Sequence, residues 1–211
     1  MTDLFAALGP DVEPLGHGAY LLPSFADTDA LLREIPPLLN AAPLRRMMTP
    51  GGRQMNVAMS NTGAYGWVSD ARGYRYDAAD PVSGKPWPAM PATFISLSKQ
   101  ASEKAGYEGF EPDVCLINRY EVGTKLSPHI DQDEADKGWP IVSVSIGIPA
   151  VFQLYGPVRG GKARNVALHD GDIVVLGGEA RLFYHGVKAI APANDPRIGA
   201  VRFNLTFRRA R

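Results

Sequence analysis

The sequence lacks the features of an exported or membrane-spanning protein. Cys115 is its only cysteine, so no disulfide can form within the chain, and its apolar neighbours favour a small buried side chain over a reactive thiol. The amino terminus has no basic start followed by a long apolar run, and no later segment is long enough to span a bilayer. These absences predict a cytoplasmic protein that does not enter a membrane.

An excess of either charge is also missing. The 22 Lys and Arg residues balance the 22 Asp and Glu residues, so no global field attracts a polyanion, and any contact with nucleic acid must be local. With 211 residues, 45% of them hydrophobic, the chain suits one domain with a sizeable core. We find no internal repeat or interdomain linker, and the lack of an exposed apolar stripe predicts a monomer.

Helical patterns are confined to the first half of the chain. Residues 27–40, DTDALLREIPPLLN, have a capping start and apolar spacing near that of a helix, but Pro36 and Pro37 should kink or divide it. Residues 91–106, PATFISLSKQASEKAG, predict a helix that begins at its proline and ends at its glycine. The face predicted to be buried consists of Phe94, Leu97 and Ala101.

After residue 112 the pattern changes to short, β-branched segments separated by Gly or Pro. These segments are DVCLINRYE, IVSVSIGI, AVFQLYG, DIVVLGG, RLFYHGV and VRFNLTF, and earlier strands are predicted at RQMNVAMSN and AYGWVSD. Helices followed by strands indicate an α+β fold with a jelly-roll core. The turn HDGD at 169–172 predicts a hairpin that places His169 on the surface, and isolated His17 is also expected there.

A histidine and an aspartate lie two residues apart in NRYEVGTKLSPHIDQDE, residues 118–134. Side chains at i and i+2 of a strand face the same way, so His129 and Asp131 can reach one ion. His185, which ends the strand RLFYHGV before a Gly turn, offers a third ligand. Two His and one carboxylate leave open positions on Fe(II). Taken alone, the pattern also fits histidines that are hydrogen-bonded at strand ends.

The last predicted strand, VRFNLTFRR, alternates polar and apolar side chains. Its polar face carries Arg202, Asn204, Thr206 and Arg208. A surface strand alternates in the same way, and that alternative stays open. Two arginines about 20 Å apart along a strand could instead clamp the two ends of a ligand, and a five-carbon dicarboxylate has a suitable length.

Several longer motifs accompany these residues in chain order. They are PGG, KPWPAMP, INRY and the pattern made by His129, Asp131, His185, Arg202, Asn204 and Arg208. In these motifs the chain resembles the AlkB family of iron and 2-oxoglutarate dioxygenases, which reverse alkylation damage in nucleic acids. The similarity runs from Asp3-Leu4-Phe5 to Arg208.

The resemblance implies a single dioxygenase domain over residues 1–211, with helices and a nucleotide-recognition lid over about 1–110 and the jelly-roll catalytic core over about 111–211. It implies Fe(II) bound by His129, Asp131 and His185, with 2-oxoglutarate and dioxygen as cosubstrates. The cosubstrate carboxylates would pair with two arginines and receive further hydrogen bonds. The residues implied in this role are Arg202, Arg208, Asn118, Tyr120 and Asn204.

The implied reaction is oxidative demethylation of N1-methyladenine and N3-methylcytosine in single- or double-stranded DNA, with RNA left open as a substrate. Formaldehyde, succinate and carbon dioxide would be released. Trp67 would stack on the flipped base, Tyr74 would contact its backbone, and Asp133 would favour the positive charge of the methylated base edge. Arg159 would hold the substrate, although a solvated loop arginine explains it equally well.

MMTPGGRQMNVAM resembles the family's lid, in which Thr49, Gly51 and Met55 would line the cover, and a plain hairpin turn is the competing interpretation. Arg53 and Leu176 stand where bacterial members of the family tend to have aromatic residues. Two further interpretations of the chain are a hydroxylase of a small molecule or protein, which keeps the iron and the cosubstrate, and a jelly-roll binding module without catalysis.

Overall fold

Two α-helices occur in the computed structural model, which describes residues 11–211: α1 (Thr28–Ala41) and α2 (Ala92–Lys104). The Asp3-Leu4-Phe5 motif and the start of the chain lie outside the described residues. Of the predicted kink or division at the two prolines, the division does not occur, because α1 runs through Pro36 and Pro37. Both prolines face solvent, so water can donate hydrogen bonds to the carbonyls that they leave without a backbone donor. Neither described helix is long and apolar enough to cross a membrane.

The second helix forms as predicted. Its face with Phe94 and Ala101 is buried, and Leu97 packs against the same core. At its end Gly106 takes a φ of +85°, and the amides of Gly106 and Tyr107 bond back to the carbonyls of the last turn. This is the arrangement that a glycine stop allows.

The strands form two facing sheets and one separate hairpin, with every strand pair antiparallel. In spatial order the main sheet contains β1 (Glu13–Gly16), β2 (Ala19–Leu22), β11 (Ile173–Leu176), β8 (Ile141–Gly147), β13 (Val201–Arg208), β6 (Val114–Glu121) and β3 (Ala58–Gly63). The small sheet contains β10 (Arg164–Leu168), β9 (Ala150–Gly156), β12 (Tyr184–Val187) and β7 (Leu126–His129). The hairpin consists of β4 (Gly66–Asp70) and β5 (Gly73–Asp77).

Three layers result from this arrangement. The helices cover one face of the main sheet in a core that includes Leu31, Phe94 and Phe207. The small sheet covers the opposite face, where Leu154 and Val174 belong to one apolar cluster. Two antiparallel sheets packed face to face, with two helices on one side, confirm the α+β class and the jelly-roll core. Strands β1, β2 and β3, which precede residue 111, also join the main sheet.

Two details of the predicted strands differ. The segment RQMNVAMSN enters a sheet only at Ala58, because residues 47–55 form a small turn of their own with a bridge between Met48 and Gln54. The HDGD turn is not a hairpin, since β10 belongs to the small sheet and β11 to the main sheet. An Asp-Gly turn specifies a local bend, and here the chain uses that bend to cross between sheets. His169 and His17 are exposed, as predicted.

Candidate active site

The three predicted metal ligands lie together at the β7 edge of the small sheet. His129 ends β7 and His185 lies directly opposite it on β12, with ring centroids 4.5 Å apart. One ligand atom from each of His129, Asp131 and His185 lies within 4.8 Å of the others. The shared cluster therefore offers two nitrogens and one oxygen to a single ion.

The local structure behind this cluster differs from the prediction. Strand β7 stops at His129, so Asp131 lies in an irregular segment and not on the same strand. The Asp131 carbonyl accepts a hydrogen bond of 2.7 Å from Nη1 of Arg181. This bond holds the segment in the absence of strand-to-strand hydrogen bonds. The predicted turn after His185 is also wrong, because Gly186 lies inside β12.

Both histidines point the same nitrogen at the cluster. Nδ1 of His129 lies 3.0 Å from the Ser127 carbonyl, and Nδ1 of His185 lies 3.0 Å from the Phe183 carbonyl. A carbonyl accepts only, so each Nδ1 carries a proton and each Nε2 is the nitrogen that faces the cluster. The Nε2 atoms of His129 and His185 lie 3.6 Å and 3.9 Å from the Asp131 carboxylate. This is the orientation that a metal ligand requires.

Electrostatics keep the ligands in their binding forms. Burial, together with the nearby His129, lowers the pKa of His185 to about 4, so its imidazole is neutral at pH 7. Burial alone would raise the pKa of Asp131, but the Arg208 guanidinium holds that pKa well below its ordinary value. A set of two imidazoles and one carboxylate fits Fe(II).

The polar face of the last strand is buried, which excludes the alternative of a surface strand. β13 lies between β8 and β6 in the middle of the main sheet, and Arg202 and Arg208 are 1% and 6% exposed. Arg208 donates from Nε and Nη2 to Oδ2 of Asp131 at 3.1 Å and 2.6 Å. Arg202 donates from Nη2 to the Ser145 hydroxyl at 2.8 Å.

Parts of both guanidinium groups have no partner. Nε and Nη1 of Arg202 and Nη1 of Arg208 are buried without a hydrogen bond among the described residues. Burial lowers the pKa of Arg202 to about 10, which still leaves it charged at pH 7. An unpaired buried donor costs roughly 1–3 kcal/mol, so these atoms fit a ligand that brings carboxylates. Two guanidinium groups on one strand match the two carboxylates of a ligand such as 2-oxoglutarate.

The other predicted cosubstrate residues are neighbours of these arginines. Tyr120 lies opposite Arg202, and Asn118 lies opposite Asn204 across β6 and β13. Asn118 donates from Nδ2 to Oδ1 of Asn204 at 3.1 Å. Burial raises the pKa of Tyr120 to about 12, so its hydroxyl keeps its proton and can donate. The four side chains thus lie in one polar strip.

The predicted aromatic residues lie on the β4–β5 hairpin. The rings of Trp67 and Tyr74 stack at 5.6 Å between centroids and 13° between planes, and Tyr74 is 48% exposed. Nε1 of Trp67 donates to Oδ2 of Asp133 at 2.8 Å. Because Asp133 follows the predicted metal ligand Asp131 by two residues, the stack is tied to the segment that carries Asp131.

The lid residues lie in the turn of residues 47–55. The Thr49 amide donates to the Arg53 carbonyl at 2.8 Å, which gives the hairpin turn of the competing interpretation, and Gly51 is exposed at its tip. The Ser69 hydroxyl of β4 donates to the Met48 carbonyl at 2.6 Å, so the turn is fastened beside Trp67. Met55 packs against the same apolar cluster as Trp67.

Two predicted positions lie apart from this group. Arg159 lies in the exposed loop between β9 and β10, and no hydrogen bond within residues 11–211 connects it to the ligand cluster. Leu176 is buried in β11 within the apolar cluster that contains Phe152. Phe152 contacts the ring of His185 at 5.8 Å between centroids, so Leu176 lies in the packing behind that ligand.

The sequence did not reveal four buried polar residues around the site. They are Tyr76, Glu134, Ser145 and Arg181. Glu134 forms an ion pair of 2.8 Å with Arg181 and accepts the Tyr76 hydroxyl at 2.6 Å. Glu134 looks like part of an exposed charge run in DQDEADKG, and only Ser145 had a sequence signal, because it alternates with apolar residues in IVSVSIGI.

Comparisons with known proteins agree with this geometry. The family model of the 2OG-Fe(II) oxygenase superfamily matches residues 18–208. The chain is 51% identical over 212 residues to the alpha-ketoglutarate-dependent dioxygenase AlkB of Salmonella typhimurium, covering 100% of this chain and 98% of that protein. It is 38% identical over 148 residues to the DNA N(6)-methyladenine demethylase ALKBH1D of Arabidopsis thaliana, covering 57% and 33% of the two chains.

A solved structure, that of OsALKBH1, matches with a TM-score of 0.82 at 30% identity, covering 94% of this chain and 99% of that chain. Fold and site together define an Fe(II)- and 2-oxoglutarate-dependent oxygenase. The chain belongs to the AlkB dioxygenases of the 2OG-Fe(II) oxygenase superfamily. Its cofactor is Fe(II), and its cosubstrates are 2-oxoglutarate and dioxygen, as predicted.

Proposed function

We propose that this dioxygenase repairs DNA by oxidative demethylation of N1-methyladenine and N3-methylcytosine. The observation that carries the proposal is the Trp67–Tyr74 stack, whose indole N–H is bonded to Asp133 two residues from the metal ligand Asp131. A planar platform and a carboxylate beside an oxidising centre suit a flat, cationic base. The Arabidopsis relative, named as a DNA demethylase, supports the same substrate class.

The chain's own side chains bind and orient the reactants. His129, Asp131 and His185 hold the metal, and Arg202 and Arg208 pair with the carboxylates of 2-oxoglutarate. Fe(II) with its two cosubstrates supplies the oxidation of a C–H bond in the N-methyl group. The hydroxylated methyl group leaves as formaldehyde, and succinate and carbon dioxide are the coproducts. Asn118, Tyr120 and Asn204 contribute the polar wall of the cosubstrate pocket.

A stacked base cannot reach the metal, so the substrate nucleotide must be flipped or presented by a single strand. Tyr74 covers one face of the Trp67 ring, and we place the base on the other face. The exposed Tyr74 is then available to the nucleic-acid backbone. Asp133 favours the cationic base over its undamaged, neutral counterpart, because a carboxylate attracts the added charge.

The turn of residues 47–55 acts in this proposal as the cover over the bound base. Its tie to Ser69 keeps it beside Trp67, and Thr49, Gly51 and Met55 line it. Arg159 contributes a cation from the exposed β9–β10 loop toward the strand that carries the lesion. DNA is the proposed substrate in single- or double-stranded form, and RNA is the second nucleic acid to test.

We propose that residues 1–211 act as one domain and as a monomer in the cytoplasm. A monomer is supported by the scatter of the large exposed apolar side chains over separate loops and strands. These side chains are Met48, Tyr74, Val82, Val122, Val158 and Leu182. Light scattering coupled to size-exclusion chromatography tests the monomer directly, and a dimer mass would refute it.

The decisive experiment measures formaldehyde and succinate released from a single-stranded oligonucleotide with one N1-methyladenine, in the presence of Fe(II), ascorbate and 2-oxoglutarate. The unmethylated oligonucleotide and the Asp131→Ala enzyme serve as controls. Equal amounts of both products, absent from both controls, support the proposal. Succinate without formaldehyde indicates a hydroxylase of another substrate, and neither product indicates a binding module.

A further inference from the structure

The Arg181 guanidinium binds the backbone of the segment that carries Asp131. Arg181 lies in the 3₁₀ helix Gly178–Leu182, directly before β12, and is 2% exposed. It donates from Nη1 to the Asp131 carbonyl at 2.7 Å and from Nε to the Trp139 carbonyl at 3.0 Å. These bonds take the place of the strand ladder that residues 130–133 lack.

The third contact of Arg181 is with a buried carboxylate. Its Nη2 lies 2.8 Å from Oε2 of Glu134. The other oxygen of Glu134 accepts the Tyr76 hydroxyl and lies 3.3 Å from Nε of Arg208. Arg208 also binds Oδ2 of Asp131 at 2.6 Å. Two carboxylates, Glu134 and Asp131, therefore compete for Arg208. Because Arg181 also pairs with Glu134, it weakens the attraction between Glu134 and Arg208.

We propose that Arg181 is a positioning residue for the cosubstrate pocket: by neutralising Glu134 it keeps Arg208 directed at Asp131 and at 2-oxoglutarate. Both members of the pair are buried, so they act through Arg208 and not by touching nucleic acid. The inference deepens the proposed function and rests on its cosubstrate site, but it does not depend on the identity of the methylated substrate.

The charges predict what happens when Arg181 is lost. In Arg181→Met, Glu134 keeps its negative charge in a buried position, and Arg208 becomes its only cationic partner among the described residues. An unpaired buried charge is strongly destabilising, so the Arg208 guanidinium should shift from Asp131 toward Glu134. The cosubstrate then loses part of its ion pairing with Arg208. Removing the Glu134 charge as well removes the attraction that draws Arg208 away.

The test compares 2-oxoglutarate binding by the Mn(II)-loaded enzyme without oxygen or nucleic acid, using isothermal titration calorimetry. Arg181→Met should raise the Kd for 2-oxoglutarate about tenfold, and Arg181→Met/Glu134→Gln should return it to within about threefold of the wild type. Arg181→Lys keeps the positive charge but loses the planar guanidinium group, and its Kd should stay near the wild-type value. Because the lysine variant keeps the buried pair, it remains informative even if Arg181→Met does not fold.

Arg45→Met is a matched control. It breaks an ion pair with Asp80, whose side chain is 5% exposed, and neither residue contacts the ligand cluster within the described part of the chain. Its Kd should be unchanged. An unchanged Kd in Arg181→Met, a double variant as weak as the single one, or a tenfold weaker Arg181→Lys would each overturn the inference. An enzyme that binds 2-oxoglutarate as expected yet releases no formaldehyde refutes the proposed substrate alone.

Discussion

His129 and His185 are cross-strand partners, and their rings lie 4.5 Å apart between centroids. The register that brings them together shifts immediately after His185. At that point Gly186 lets the backbone of β7 approach closely, because a Cβ atom built on Gly186 would lie only 2.7 Å from the Leu126 carbonyl oxygen. The separation of the two ligands therefore depends on a residue without a side chain.

Gly186→Ala should weaken metal binding at least about tenfold and lower the free energy of unfolding by about 1–3 kcal/mol. The added methyl group meets backbone atoms of Leu126 and Pro128, which cannot move without shifting β7 and His129. Mn(II) titration and chemical denaturation measure the two effects. Gly138→Ala is the control, since the three atoms nearest to its methyl group all belong to the Asp136 side chain. Wild-type Mn(II) affinity in Gly186→Ala would contradict this account.

Asp131→Ala should abolish turnover while leaving the far-ultraviolet circular dichroism spectrum unchanged. The substitution removes the single carboxylate of the ligand cluster, whereas Arg208 keeps Glu134 as an ion-pair partner. Formaldehyde release and Mn(II) binding should fall together. Activity at the wild-type level would remove Asp131 from the metal site.

Arg208→Ala should raise the KM for 2-oxoglutarate at least about tenfold, because a cosubstrate carboxylate loses a charge-assisted partner. The KM for the oligonucleotide should change little, since Arg208 is buried. Arg209→Ala is the adjacent control, because the Arg209 guanidinium lies over the Trp139 ring, 4.8 Å from its centroid. If Arg208→Ala shows normal dependence on 2-oxoglutarate, the residue does not belong to the cosubstrate pocket.

Trp67→Phe should reduce the preference for cationic lesions about tenfold, since phenylalanine keeps a stacking face but loses the N–H that orients Asp133. The measurement is the ratio of kcat/KM for oligonucleotides with N1-methyladenine and with neutral N1-methylguanine. Trp87→Phe provides the control, because its indole N–H bonds to the Asp77 carbonyl. An equal loss on both lesions would show that the ring, and not the hydrogen bond, is what matters.

The residues of the centre could be named before their geometry was known because the chain resembles the AlkB dioxygenases. Two His and one Asp suit Fe(II), and two arginines on one strand suit a dicarboxylate, but without the resemblance His129, Asp131, His185, Arg202 and Arg208 also fitted hydrogen-bonded histidines and a surface strand. Alternation in VRFNLTFRR also gave the correct strand. Burial of its polar face was not predictable, because central and surface strands alternate alike.

The sequence pattern failed where tertiary contacts decide the backbone. Asp131 was expected on a strand, yet the Arg181 side chain holds its segment. Asp170-Gly171 was expected to close a hairpin, yet the flanking strands belong to different sheets. Arg181 itself was expected to begin the strand RLFYHGV, yet it lies in a 3₁₀ helix and the strand begins at Tyr184. Nothing local shows that Glu134 is its partner. Such long-range pairs leave no periodic signal.

The central place of β13 predicts that cosubstrate supply affects the enzyme's lifetime. Arg202 and Arg208 lie in the middle of the main sheet with N–H groups that have no partner among residues 11–211, so 2-oxoglutarate bound there as proposed would complete the interior of the protein as well as its chemistry. A ligand that binds only the folded state at 100 times its Kd adds about 2.7 kcal/mol to the free energy of unfolding. Proteases cut the chain mainly when it opens, and degradation should therefore slow as the concentration of 2-oxoglutarate rises.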